Sequence, residues 1–99
     1  MKRNAKDVVV AVLDTGYDET AMGSERILVS NVNYSETGQE NSMRDDHGHG
    51  TKMASIILNS TGENVKVMPV KVLDSKGIGS TISLYLGIQY ALDHQADII

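Results

Sequence analysis

The sequence contains no Cys, no Trp and no Phe, and only one Pro, Pro69. Without Cys it has neither disulfides nor a thiol nucleophile, and its redox compartment stays open. With four Tyr as the only aromatics, a folded core has to be built from Val, Ile, Leu and Met. No apolar run approaches the roughly 20 residues of a membrane-spanning helix, so a membrane is not an expected partner. Positive charge is also in short supply: Lys and Arg number 9 against 13 Asp and Glu, a net charge of −4. Nucleic acid, which needs a basic face, is therefore not an expected partner either. Lys2, Arg3 and Lys6 make only the first residues locally basic. The apolar stretch that follows is too short for a secretory core and ends in an acid. These residues fit an intracellular protein, or a chain whose signal and pro-segment have been removed.

What is present is ordinary for a globular protein: 40% hydrophobic and 22% charged residues over 99 positions. That length fits one domain or a portion of a larger one. Residues 8–13, VVVAVL, form a continuous β-branched run ending at Asp14-Thr15-Gly16. Such a run reads as a strand of a parallel sheet buried on both faces. Residues 27–32 suggest a weaker strand, and residues 35–46 a surface loop in which Asp45 and Asp46 are solvated. After Gly48, HGTKMASIILNS reads as a helix with Met53, Ala54, Ile56 and Ile57 on its apolar face, stopped by Gly62. Residues 65–73 form a second strand, in which Pro69 removes one ladder bond. A turn at 74–79 leads to a helix capped by Ser80 or Thr81 and running to about His94. Its expected buried stripe is Ile82, Tyr85, Leu86, Ile88 and Leu92, and Gly87 within it implies close packing. The final Ala-Asp-Ile-Ile reads as the start of another strand. This alternation predicts an α/β fold with a parallel sheet and right-handed crossovers.

Chemistry in such sheets gathers at the carboxyl ends of the strands. Asp14 stands at one, where Thr15 and Gly16 can offer N–H groups to its carboxylate. His49 lies between Gly48 and Gly50 at the start of a helix, where small neighbours let another group reach the imidazole. Taken singly, Asp14 fits a strand-end turn and His49 a surface loop.

Together they are specific. An apolar strand ending in Asp-Thr-Gly, followed by His-Gly-Thr opening a helix, resembles the Asp and His boxes of the subtilases. The resemblance continues through Val70-Lys71-Val72-Leu73, Gly77-Ile78-Gly79 and Gly87-Ile88 to Ala96-Asp97-Ile98-Ile99. It implies a three-layer α/β peptidase domain, subtilisin-like, of which residues 1–99 are the N-terminal portion, truncated before the catalytic Ser. It implies that Asp14 and His49 are the acid and base of a Ser-His-Asp triad. Leu73, Gly77, Ile78 and Gly79 would bind substrate, the glycines exposing backbone for an added peptide strand. The implied partners are a peptide or protein substrate and a pro-segment or inhibitor. A calcium ion would also fit the resemblance, although no ligand set stands out and no other cofactor is expected. The resemblance favours secretion without excluding an intracellular protein.

Two departures qualify the match. The family usually has a second His where this sequence has Lys52, which sets a positive charge near the site. The family's Gly-Thr-Ser box and oxyanion Asn lie downstream of Ile99, and Ser55, Ser60, Ser75, Ser80 and Ser83 stand in the wrong context to replace that Ser. The chain alone is therefore expected to be inactive. The main alternative is a non-catalytic subtilase-like half-domain that acts in binding. Leu-Asp-Thr-Gly also occurs in the dimeric aspartic proteases, but those are nearly all β and have no use for a His-Gly-Thr box. A metal site on Asp45, Asp46, His47 and His49 lacks a further nearby His.

Overall fold

A computed structural model describes residues 4–20, 25–35 and 42–99. Lys2, Arg3 and positions 36–41 of the expected loop lie outside the described residues. Four elements follow in order: β1 (Val8–Asp14), α1 (His49–Ser60), β2 (Val65–Lys71) and α2 (Thr81–Asp93). β1 and β2 pair in parallel, from Val8 opposite Val65 to Asp14 opposite Lys71.

Each strand gains a further parallel neighbour through isolated bridges. Ile98 pairs with Val10 on the free side of β1, where Asp97 donates its N–H to Val9 O (2.8 Å) and accepts from Val9 N through Oδ2 (2.8 Å). The expected final strand is thus present as a short contact. Ile27 and Asn33 bridge Val67 and Lys71 on the free side of β2. The expected strand at 27–32 is reduced to the bridge at Ile27, with the second just beyond it at Asn33, for two reasons. Asn31 takes a left-handed φ of 53°, which breaks an extended run. Val67 and Lys71 both bond towards this segment, so Pro69 between them faces the same side with no N–H to give.

The helices lie on opposite faces of the sheet. Val9, Ala11, Met68, Val70 and Val72 form one core with Ala91 of α2, while Val67, Tyr17 and Ile27 form another with Ala54 and Leu58 of α1. Alternate strand residues point to opposite faces, so the molecule is a helix–sheet–helix sandwich. β1 is nevertheless uneven: Val9 and Ala11 are buried, whereas Val8, Val10 and Val12 are half-buried.

The helix faces differ from expectation. α2 seats itself on the sheet through Ser83, Gly87 and Ala91, one turn apart, and not through its large apolar residues. A β-carbon at Gly87 would lie 2.5 Å from Val72 Cγ1, so the close packing expected there is real. Ile82 (71%), Tyr85 (63%) and Leu92 (57%) are exposed as a consequence, with Leu86 and Ile88 also open to solvent. In α1 the buried line is Gly50, Ala54 and Leu58, with Ile56 exposed. Ser80 caps α2 in a reciprocal pair with Ser83. Arg26 closes the other end of α1: its guanidinium donates to Leu58 O (2.8 Å), Val65 O (3.0 Å), Thr61 Oγ1 (2.8 Å) and Gly62 O (2.6 Å). It thereby satisfies a terminal carbonyl that helical bonding leaves orphaned.

Candidate active site

The site begins where β1 ends. Asp14 O accepts both Val72 N–H (2.9 Å) and Leu73 N–H (3.1 Å), so the chain bends after Lys71 and β2 stops two residues earlier than its apolar pattern implies. The Asp14 carboxylate accepts Thr15 N–H on Oδ1 (2.7 Å). Both of its oxygens also lie 2.9 Å from His49 Nδ1. An ionised carboxylate only accepts, so the proton of this contact belongs on Nδ1 and leaves Nε2 as the basic nitrogen. The Asp14 side chain is 13% exposed and that of His49 54%. The acid is enclosed behind the ring, and the ring faces solvent. Among the described residues Nε2 has no hydrogen-bond partner.

Glycines make this approach sterically allowed. Gly16 has φ 111°, a left-handed turn that suits glycine. Gly50 packs directly on the turn, where any β-carbon would collide with backbone.

The loop before α1 is held by charge. Asp45, expected to be solvated, is half-buried: it accepts Thr15 Oγ1–H (2.8 Å), Gly48 N–H (2.7 Å) and His47 N–H (3.0 Å) on Oδ1. Its Oδ2 accepts Thr51 N–H (2.9 Å) and the Thr51 hydroxyl (2.5 Å). Burial by itself raises this carboxyl's pKa, but the Thr51 hydroxyl and the Gly48, His47 and Thr51 N–H groups outweigh it and hold the group well below the usual carboxylate range. Asp46 is exposed but ion-paired, its Oδ1 accepting Lys71 Nζ at 2.7 Å. Lys71 itself is 2% exposed and also donates to Thr15 O (2.6 Å). The solvated reading fails for Asp45, which has a donor set waiting in the fold, while Asp46 stays exposed and gains one partner, Lys71.

Beside the pair lies a cleft of about 300 Å³ lined by Asp14, Thr15, His47, His49, Leu73, Lys76 and Gly77. Of the residues expected to bind substrate, Leu73 and Gly77 reach this cleft. Ile78 (58% exposed) and Gly79 follow along the chain outside its lining. Lys52 is exposed and does not line the cleft, whose cationic side is Lys76. A larger hollow of about 400 Å³ opens beside Tyr17, Glu19, Asn31, Arg44 and Asp45. Its lining contains no His, whereas the smaller cleft is lined by Asp14 and His49. No serine lines that cleft among the described residues. Ser80 and Ser83 are engaged in the α2 cap, and Ser55 Oγ donates to Thr51 O (2.7 Å).

Among the described residues no three His or acidic groups gather where they could hold a metal ion. No described helix is long and apolar enough to cross a membrane.

Sequence reasoning weighed Asp45 and His47 only as metal ligands and missed Lys71 as a part of the site. Lys71 carried a signal: a Lys within the apolar run VMPVKVL must bury its charge and so needs a partner. The Asp45 link to Thr15 carried none, because that donor stands 30 residues away, while its other donors, His47, Gly48 and Thr51, are near neighbours in the chain.

A sequence profile of the subtilase family matches residues 5–99. The chain is 40% identical to the cell wall-associated protease of Bacillus subtilis (strain 168), over 99% of this chain and 12% of that protein. It is 34% identical to the intracellular serine protease of Paenibacillus polymyxa, over 95% of this chain and 32% of that one. It is also 29% identical to the minor extracellular protease Epr of Bacillus subtilis (strain 168), over 95% of this chain and 15% of the relative. The chain thus spans a third or less of these relatives, whose names point to extracellular and intracellular settings alike. A profile match across nearly the whole chain, on a parallel helix–sheet–helix fold, means that the chain belongs to the subtilase family.

Proposed function

We propose that this chain is the N-terminal portion of a single subtilisin-like peptidase domain. It contributes the acid and the base of a Ser-His-Asp triad that hydrolyses peptide bonds. The observation carrying the reading is the 2.9 Å contact of His49 Nδ1 with the enclosed Asp14 carboxylate, on an imidazole otherwise open to the cleft. In this reading the nucleophile is a Ser outside the present sequence, since among the described residues no serine lines the cleft with His49.

The mechanism follows from that geometry. A Ser hydroxyl placed at His49 Nε2 gives up its proton as its oxygen attacks the substrate carbonyl, and His49 returns the proton to the leaving amine. Asp14 keeps the ring in the Nδ1–H tautomer and stabilises the imidazolium formed in between. Leu73 and the backbone at Gly77 support binding of an extended peptide or protein substrate along the cleft.

The test is a peptidase assay of the full-length protein on an unstructured protein substrate, with labelling by a serine-directed fluorophosphonate. His49→Ala is expected to lower turnover by about 10⁴-fold or more and to abolish labelling, because triad members act as a unit. A full-length His49→Ala variant that retains activity and labelling overturns the reading.

A further inference from the structure

We infer that Asp45 is a positioning residue for the Asp14–His49 pair, acting through the Thr15 hydroxyl. The inference rests on the peptidase reading and extends it to a residue outside the cleft lining.

The argument starts from the first turn of α1, whose N–H groups have no helical acceptors. The residue before the helix is Gly48, which has no side chain to cap it. Acceptors come from elsewhere: Thr15 Oγ1 takes Gly50 N–H at 2.8 Å, and Asp45 Oδ2 takes Thr51 N–H at 2.9 Å. These donors follow His49 directly along the backbone. Thr15 is the residue next to Asp14, and its own N–H bonds the Asp14 carboxylate. The two boxes are therefore joined twice, once by the direct contact of Asp14 with His49 and once through Thr15.

The polarity of the second link depends on Asp45. A hydroxyl has one proton, and Thr15 gives it to Asp45 Oδ1 at 2.8 Å, so an oxygen lone pair remains for Gly50 N–H. Asp45 meets only donors: the Thr15 hydroxyl, His47 N–H and Gly48 N–H on one oxygen, the Thr51 N–H and hydroxyl on the other. Only a group that accepts on both oxygens fits. An Asn, in either orientation, sets its NH₂ against one of these donor sets. The lowered Asp45 pKa agrees with a site built for the anion. Lys71 Nζ holds the Thr15 carbonyl at 2.6 Å, so the main chain at Thr15 is already fixed and the hydroxyl is the adjustable part.

The consequence is for geometry and not for proton transfer itself. A misplacement of about 1 Å in a reacting group can lower a rate by about 100-fold. Loss of the Asp45 acceptor lets the start of α1 shift against β1, and with it His49 against Asp14.

The experiment uses the full-length enzyme. Asp45→Asn is expected to lower kcat by about 10- to 100-fold with KM within about 3-fold, the pattern of geometry lost in the transition state. In an Asp14→Asn background, where the contact is already broken, the same change is expected to lower kcat by no more than about 3-fold, since coupled residues are not additive. Thr15→Val should reproduce the loss, and Thr15→Ser, which keeps the hydroxyl, should restore kcat. The downfield proton resonance of His49 Nδ1–H should broaden or vanish in Asp45→Asn and Thr15→Val and persist in Thr15→Ser. Equal kcat losses in both Asp14 backgrounds, or an unchanged resonance in Asp45→Asn, overturn the inference. If Asp45→Asn fails to fold, the Thr15 pair decides it by the same two readouts. A wild-type enzyme without peptidase activity, or one indifferent to Asp14→Asn, defeats the peptidase reading instead, and the resonance comparison still decides the positioning.

Discussion

Gly50 lies so close to Gly16 that a β-carbon on Gly50 would sit 2.3 Å from the Gly16 carbonyl oxygen. The obstacle is backbone on both sides and cannot swing away. Gly50→Ala must therefore push α1 off the end of β1 and stretch the Asp14–His49 contact. We expect a stability loss of about 1–3 kcal/mol, the usual range for overpacking. Activity of the full-length enzyme should fall with it. Denaturant midpoints and kcat for the single variant check both, and a variant of unchanged kcat would show that the contact tolerates the shift.

Lys71 and Asp46 form an unequal pair, with side chains 2% and 36% exposed. Asp46→Ala leaves a buried ammonium with only the Thr15 carbonyl for company, a situation that typically costs about 3–5 kcal/mol. Lys71→Met removes the charge and keeps the volume. Asp46 then returns to water, and the main loss is the unpaired Thr15 carbonyl, worth about 1–3 kcal/mol. Urea melts of the two variants should therefore rank Asp46→Ala as the more damaging. The opposite order would mean that water reaches Lys71.

Asp45 makes stability depend on acid. Its folded pKa lies below the unfolded value of about 3.8. Its contribution is therefore complete above the unfolded value and is lost as pH falls through the folded one. Wild type should lose stability steeply below about pH 4, and Asp45→Asn, already weaker at neutral pH, should lose less over the same interval. Parallel curves of unfolding free energy against pH for the two proteins would remove Asp45 from the acid response.

The two helices show what could be read from the sequence. β1 and both helix starts follow directly from it: a continuous β-branched run makes a parallel strand, and His-Gly-Thr and Ser80 mark where helices begin. The faces of α2 were not legible. Apolar periodicity assigns its large residues to the core, yet Gly87 meets Val72 and Leu13 so closely that only small side chains fit between helix and sheet. Nor does the segment at 27–32 reveal its broken pairing, because the interruption at Asn31 is conformational and the missing donor belongs to Pro69, far along the chain. In the site, Asp14 and His49 are legible as boxes. The Lys71 strut and the Asp45–Thr15 link are not, because those partners meet only in the fold.

The outward face of α2 should make the isolated 99-residue chain associate with itself. Ile82, Tyr85 and Leu92 lie exposed together with Ile98 and Ile99, and apolar surface of this kind drives association. Sedimentation velocity should detect oligomers or aggregates, and a triple change of Ile82, Tyr85 and Leu92 to Lys should shift the population to monomer. A monodisperse wild-type chain with a cooperative melt above about 60 °C would show a self-sufficient domain.

The route by which Val9 is paired bears on how fast the molecule can form. Val9 N–H bonds the Asp97 side chain 88 residues away, and Asp14 meets His49 across 35. Parallel strands have no hairpin to start from, so long stretches of chain must close before either contact repays the lost entropy. Slow folding follows, with β1 synthesised before its outer neighbour and waiting through most of this sequence for it. Through that interval its apolar edge is the part of the nascent chain that most needs shielding.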